Sequence, residues 1–142
     1  GVIMISRNQL GVVQNAARGD FKKVLTVCSV GCLRSQTAAH LLASDPWNFN
    51  TRSCGLSKDF AIVPISEALV VWADMILVMD SDMVKDVNDM QNDLATRMEN
   101  SMYEFTYKQV INLDVPDDFD YRDPRLVQLL NDKFDWHFGG DK

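Results

Sequence analysis

Two kinds of hydrophobic pattern alternate along the chain. Three short apolar runs and one weaker, more polar run have the length and composition of buried β-strands. They cover residues 23–28, 49–54, 74–79 and 110–115. The run DMILVM at 74–79 is the clearest of the four, and FNTRSC at 49–54 is the weakest.

Between these runs, apolar residues recur at intervals of three and four positions, which is the spacing of an amphipathic helix. The pattern predicts helices that begin near Ser35, near Ser66, at Ser81 and at Pro124. Ser66 and Asp123 are residue types that cap helix N-termini, and proline suits the first turn of a helix. Strands that alternate with helices predict an α/β fold in which helices cover both faces of a parallel sheet.

The length of the chain fits a single domain. A chain of 142 residues is long enough to bury one sizeable core without disulfide bonds. Residues 1–20 precede the first predicted strand, and Leu10, Val13 and Ala17 predict a helical extension there. We therefore expect one domain over residues 1–142 that begins with this extension.

Composition and charge exclude several classes of partner. The net charge is -6, and nucleic-acid binding depends on clustered Lys and Arg, so we expect no nucleic-acid partner. No apolar run approaches the roughly 20 residues of a membrane-spanning helix, and the opening residues are too polar for a secretory signal. Three cysteines are too few, and odd in number, for an extracellular disulfide framework. We therefore expect a cytoplasmic protein without a membrane partner.

The stretch VLTVCSVGCLRSQTAAHLL runs from a predicted strand through a loop into a predicted helix. The strand ends at Cys28, and Arg34 lies at the start of the helix. If the loop amides converge, and the positive end of the helix adds to them, they form a binding site for a phosphate group. The residues of this phosphate-binding loop are Cys28, Ser29, Val30, Gly31, Cys32, Leu33 and Arg34.

Several side chains of this segment have a role in such a site. The same positive field stabilises a thiolate at Cys28, and Gly31 adopts a positive φ without a steric penalty. The planar guanidinium of Arg34 holds two phosphoryl oxygens at once. Ser35 either donates its hydroxyl to the Cys28 sulfur or caps the helix. The alternative is that neither residue has a catalytic or binding role. Cys28 is then a buried cysteine at the end of a strand, and Arg34 is a surface residue.

This segment resembles the active-site segment of low-molecular-weight protein tyrosine phosphatases, in particular the small bacterial and phage phosphatases of that superfamily. The resemblance continues in the same order through VLTVCSVGCLRSQTA, TRSCGL, ISEALVVWADMILVMD and LDVPDDFDYRDPRLVQLL. It covers roughly residues 23–135, which is far more specific than a cysteine and an arginine alone. It implies a flavodoxin-like, three-layer α/β/α fold with a four-stranded parallel sheet.

The resemblance also implies an activity, the hydrolysis of phosphotyrosine through a phosphocysteine intermediate without metal or cofactor. The implied substrates are phosphotyrosine-containing proteins or small aryl phosphates. By the resemblance, Cys28 is the nucleophile, Arg34 is the phosphate clamp, and Ser35 supplies the hydroxyl that supports the thiolate.

The resemblance places the general acid in the late loop, because the family has an aspartate beside a proline there. The sequence Val115-Pro116-Asp117 indicates Asp117 as the acid, with Asp114 as second choice and Asp118 as third. An acid is needed because a phenolate leaves more readily when it is protonated. The candidates for aromatic walls of the site, as in the family, are Trp47, Phe119 and Tyr121, and the alternative for each is ordinary packing in the core.

The loop and the residues directly after it depart from the family pattern at three places. Val30-Gly31 replaces a frequent Gly-Asn pair, Leu33 replaces the cysteine that usually precedes the arginine, and Gln36 replaces a frequent proline. These changes leave the nucleophile and the clamp intact but affect the rigidity of the loop. The second cysteine, Cys32, either forms a reversible disulfide with Cys28 that switches the thiolate off or is a small packed side chain.

Two other functions fit parts of the pattern. A catalytically weak relative would bind phosphotyrosine or another oxyanion without turnover, which the changes at residues 30–31 leave open. An arsenate reductase of the same superfamily would need a relay of cysteines, and no cysteine follows Cys54.

A zinc site at Cys28, Cys32 and His40 lacks a fourth ligand with suitable spacing, so we expect no metal.

Overall fold

Four parallel strands form the centre of the protein. The computed structural model describes residues 13–14, 22–29, 33–99, 101–119 and 123–139. The strands are β1 (Val13–Gln14), β2 (Lys23–Cys28), β3 (Asn50–Gly55), β4 (Met75–Val78) and β5 (Gln109–Asn112). They lie in the order β1-β3-β2-β4-β5. The two-residue β1 pairs with β3 in the antiparallel direction, and the other pairs are parallel.

Four helices connect or follow these strands in the described part of the chain. They are α1 (Leu33–Leu42), α2 (Glu67–Trp72), α3 (Ser81–Met98) and α4 (Pro124–Phe138). Side chains cap three of them at the N-terminus, where the first N–H groups have no acceptor within the helix. The capping residues are Ser66, Asp80 and Asp123. None of these helices is both long enough and apolar enough to span a membrane.

The helices cover both faces of the sheet. Thr51 Oγ1 donates a hydrogen bond to the Ala39 carbonyl of α1 at 2.9 Å. The guanidinium of the next residue, Arg52, lies 4.2 Å from the ring centre of Trp72 on α2. Because successive residues of a strand point to opposite faces, α1 and α2 lie on opposite sides of the sheet. Helix α4 packs beside α1, and α3 packs beside α2.

The predicted α/β fold is therefore confirmed. The four parallel strands lie in the order β3-β2-β4-β5, which corresponds to the flavodoxin-like order 2-1-3-4. The strands at the centre are buried on both faces, with Val24, Leu25 and Val27 on β2 and all of Met75–Val78 on β4 inaccessible or nearly so.

The structure differs from the sequence prediction in the type of one element and in the boundaries of two others. Val13, which the pattern places in a helix, lies in β1, while Leu10 and Ala17 lie outside the described residues. Helix α1 begins at Leu33 instead of Ser35. The strand predicted over 110–115 ends at Asn112, since the backbone two residues later takes a positive φ.

A buried glutamine joins α3 to the start of β5. Gln91 Oε1 accepts a hydrogen bond from the Lys108 N–H at 2.6 Å, and Gln91 Nε2 donates to the Lys108 carbonyl at 3.1 Å. The same amide nitrogen lies 3.1 Å from Asn88 Oδ1. Because Lys108 directly precedes β5, this pair of hydrogen bonds fixes the entry of the strand against the helix.

We expect Gln91→Leu to lower the free energy of unfolding by about 1–3 kcal/mol, because it leaves the partly buried N–H and carbonyl of Lys108 without these partners. Urea unfolding measures the change. The matched control is Gln128→Leu, since Gln128 donates to Asp132 on the exposed side of α4. The control should change stability by no more than about 0.5 kcal/mol. An equal loss in both variants would contradict the role of Gln91.

Candidate active site

The candidate site lies at the carboxyl ends of β2 and β4. The winding of the parallel strands changes direction between these two neighbours. In doubly wound sheets a crevice for ligands opens at this point, beyond the carboxyl ends of the strands. Cys28 is the last residue of β2, and Asp80 follows the end of β4.

Strand β2 aims two side chains at the same residue of α1. Thr26 and Cys28 point to one face because they are two positions apart. Thr26 Oγ1 donates to the Ser35 carbonyl at 2.7 Å, and Cys28 Sγ lies 3.2 Å from Ser35 Oγ. Only 2% of Cys28 is exposed. The strand therefore fixes Ser35 through its backbone and places its hydroxyl against the sulfur.

The sulfur also lies at the positive end of a helix. Ser35 is the third residue of α1, and the N–H groups of a first turn have no acceptors within the helix. Their partial positive charge favours an anion close to the helix end. Of the two roles that the sequence allows for Ser35, the observed distance fits the hydroxyl that contacts the Cys28 sulfur.

Arg34 joins α1 to the loop after β5. Its side chain is almost wholly buried. Arg34 Nη1 donates to the Val115 carbonyl at 2.9 Å, and Arg34 Nε lies 3.6 Å from Asp117 Oδ1. The alternative that places Arg34 on the surface is therefore wrong, although Cys28 is a buried cysteine at a strand end, as that alternative expects.

A cavity of about 490 Å³ opens beside Arg34, Val115 and Asp117. Its described polar lining consists of Ser29, Arg34, Asp80, Asp114 and Asp117. Three carboxylates and one guanidinium thus line the cavity. An anion is therefore favoured close to Arg34 and the amino end of α1.

The three candidate acids differ in position. Asp117 lines the cavity and forms an ion pair with Arg34, and its side chain is 68% exposed. Asp114 lines the cavity without such a contact to Arg34 in the described region. Asp118 is exposed and is not among the residues of the lining. Of the three candidates, the geometry therefore brings Asp117 closest to Arg34, the predicted phosphate clamp.

The other predicted residues of the phosphate-binding loop lie on either side of residues 30–32. Ser29 lines the cavity, and Leu33 is the first residue of α1. Val30, Gly31 and Cys32 lie outside the described residues. The disulfide between Cys28 and Cys32 therefore stays a prediction.

Two of the three aromatic walls predicted from the sequence, Trp47 and Phe119, lie in the described part of the chain. Trp47 precedes β3 and so lies at the amino ends of the parallel strands, where its ring packs on Phe138 at 5.8 Å between centroids. Its prediction as a wall of the site is wrong, because the ring is needed in the core. Phe119 is half-buried, with the Arg125 guanidinium 5.6 Å from its ring centre. Tyr121 lies outside the described residues.

One neighbour of the site was not predicted from the sequence. The loop after β3 continues along the end of β2, where the Leu56 N–H donates to the Cys28 carbonyl and the Ser57 N–H donates to the Ser29 carbonyl. The same loop carries Phe60, 79% exposed, and Ile62, 74% exposed. Only the exposure of these apolar side chains distinguishes them from ordinary core residues, and a sequence does not reveal exposure.

Comparison of the chain with protein-family models and with curated proteins gives no match. Among the residues that the structure describes, no group of three or more His, Cys, Asp or Glu side chains is arranged to hold a metal ion.

Cys54 is a second buried thiol close to Cys28 but on the opposite face of the sheet. It is two positions from Arg52, which faces α2, whereas Cys28 faces α1. Burial, and secondarily the nearby Cys28, raise the pKa of the Cys54 thiol far above its usual range. Cys54 therefore stays protonated in the folded protein at neutral and moderately alkaline pH.

This raised pKa makes stability depend on alkaline pH. Above the ordinary thiol pKa of about 8.5, the unfolded chain loses the Cys54 proton while the folded protein keeps it, so unfolding becomes more favourable as the pH rises. Between pH ~8 and ~9.5 the unfolding free energy of the wild type should fall by about 1 kcal/mol more than that of Cys54→Ala. Urea unfolding at several pH values measures both slopes, and parallel slopes would contradict the assignment.

Proposed function

We propose that the protein hydrolyses aryl phosphate monoesters, with phosphotyrosine as the natural group, through a phosphocysteine intermediate. One observation carries this proposal. A buried cysteine at the end of a strand contacts a hydroxyl in the first turn of a helix, and the buried arginine of that turn contacts an aspartate of the late loop. Nucleophile, clamp and acid therefore occupy one edge of the sheet.

In the first step the Cys28 thiolate attacks phosphorus, an S–P bond forms, and the P–O bond to the aryl group breaks. Asp117 gives its proton to the departing phenolate oxygen, which makes that oxygen a better leaving group. The guanidinium of Arg34 and the first-turn amides of α1 stabilise the charge that spreads over the phosphoryl oxygens.

In the second step a water molecule attacks phosphorus and the S–P bond breaks. The Asp117 carboxylate takes a proton from the attacking water, which restores the acid. The sulfur leaves as a thiolate, and the Ser35 hydroxyl donates a hydrogen bond to it. The products are inorganic phosphate and the free enzyme.

The contact between Arg34 and Asp117 suits this cycle. Before substrate binds, the carboxylate balances part of the charge of the guanidinium. A phosphate dianion in the clamp supplies that negative charge instead, so substrate takes the place of Asp117 as the partner of the guanidinium. Asp117 then lies beside the bound phosphate group, where the leaving oxygen needs a proton donor.

Hydrolysis is favoured over arsenate reduction because a relay needs a further accessible thiol beyond the phosphate-binding loop. Cys54 is buried, faces away from Cys28, and has a raised pKa that disfavours the reactive thiolate.

A thiolate nucleophile also requires a reducing environment, so we propose the cytoplasm as the site of action.

The nucleophile and the clamp are tested by hydrolysis of 4-nitrophenyl phosphate. We expect Cys28→Ser to lower kcat/KM at least about 10³-fold, because a serine hydroxyl is a far weaker nucleophile than a thiolate. Arg34→Lys keeps the charge but loses the planar fork, and we expect a loss of about 10²-fold. Cys54→Ala is the matched cysteine control and should keep its activity.

Undiminished turnover in Cys28→Ser would exclude the phosphocysteine intermediate. If the wild type shows no turnover but inorganic phosphate raises its Tm, the result favours the oxyanion-binding alternative.

The acid is tested by comparing Asp117→Asn with Asp114→Asn on phenyl phosphate. We expect Asp117→Asn to lower kcat/KM by about 10²-fold or more and to remove the fall of the pH profile on its alkaline side, because that fall reports loss of the acid's proton. Asp114→Asn should have the smaller effect. The opposite ranking would assign the proton transfer to Asp114.

A further inference from the structure

The chain gains one extra residue where it leaves β5 and passes the end of β4. Asn112 is the register partner of Val78, and the Leu113 N–H donates to the Val78 carbonyl at 2.8 Å. Regular parallel pairing would take the N–H of residue 115 to the carbonyl two residues further along, at residue 80. The Val115 N–H instead donates to the Met79 carbonyl at 2.8 Å.

This local arrangement is a β-bulge centred on Asp114. The extra residue is accommodated by a positive φ of 54° at Asp114, a conformation that L-residues other than glycine adopt mainly when they are Asn or Asp. Bulges bend the chain and redirect side chains, and they are over-represented beside active sites.

The side chain of Asn112 holds the bulge in place. Asn112 Oδ1 accepts a hydrogen bond from the Asp114 N–H at 2.8 Å. A side chain that accepts from the backbone two residues later closes an Asx turn, which stabilises a tight change of direction. Asn112 is half-buried and is the last residue of β5, so the rigid strand anchors this turn.

The bulge sets the direction of the two groups that meet Arg34. Immediately after it, the Val115 carbonyl accepts from Arg34 Nη1 at 2.9 Å, and the Asp117 carboxylate lies 3.6 Å from Arg34 Nε. The bulge bends the chain directly before Val115 and three residues before Asp117, so it contributes to the direction from which both groups meet Arg34.

We propose that Asn112 is a positioning residue for the acid: it holds the bulge that brings Asp117 to the phosphate clamp. This inference rests on the proposed function, since it concerns the proton transfer to the leaving group. Asn112 itself touches none of the reacting atoms. It acts through the backbone of Asp114 and the position of Asp117.

Leaving groups of different basicity distinguish this role from a general structural one. Phenolate is basic and needs a proton as it departs, whereas 2,4-dinitrophenolate is a weak base and departs without one. A misplaced acid therefore slows phenyl phosphate and leaves 2,4-dinitrophenyl phosphate nearly unaffected. A damaged fold, or a damaged nucleophile or clamp, slows both substrates.

The test compares kcat/KM of Asn112→Leu with that of the wild type on both substrates. Leucine is similar in size but has no acceptor for the Asp114 N–H. We expect a loss of about 10–100-fold on phenyl phosphate and a change of no more than about threefold on 2,4-dinitrophenyl phosphate. The alkaline fall of the phenyl phosphate pH profile should also flatten.

Two further variants complete the test. Asn112→Asp keeps the Oδ1 acceptor and should restore phenyl phosphate hydrolysis to within about threefold of the wild type. Asn131→Leu makes the same substitution on the exposed side of α4 and should leave both rates unchanged.

The outcomes separate the two proposals. Equal rates for Asn112→Leu and the wild type on phenyl phosphate, or equal losses on both substrates, would overturn the role of Asn112 while hydrolysis by the wild type still supports the proposed function. A wild type that hydrolyses neither substrate would overturn the proposed function, and the role of Asn112 with it.

Discussion

A buried guanidinium holds the two halves of the candidate site together. Arg34 lies at the start of α1, and the Val115 carbonyl that accepts its hydrogen bond comes 81 residues later in the chain. A buried charge that loses its partners is strongly destabilising, so the late loop and α1 stabilise each other's position. The group that would hold the phosphate therefore also fixes the loop that carries the proposed proton donor.

The pattern of the sequence predicted the layers of the fold because each layer depends on residues that are close in the chain. The buried run Met75–Val78 and the apolar face of α3 are both visible in short windows. The structure differs from the sequence prediction where pairing with residues distant in the chain determines the local conformation. Val13 is in a strand because it pairs with Arg52, and β5 stops at Asn112 because of how the following residues pair with the end of β4. Neither pairing leaves a local pattern.

The residues of the candidate site also divide into those that local sequence predicts and those that depend on distant partners. Cys28, Arg34 and Ser35 lie within one strand–loop–helix segment, and their types and spacing were sufficient to group them. Asp117 was indicated only by resemblance to a family, since several aspartates crowd that loop and no spacing rule separates them. Asn112 was not predicted at all, because its hydrogen bond matters only in relation to the register with β4.

The opposite orientation of the two thiols has a consequence for oxidative damage. Peroxide converts a reactive thiolate to a sulfenic acid, which a neighbouring thiol rescues by forming a disulfide before irreversible sulfinic acid appears. Cys54 lies on the strand next to Cys28 but projects from the other side of the sheet. A sulfenic acid on Cys28 therefore has no resolving partner on β3, although the two strands are neighbours in the sheet.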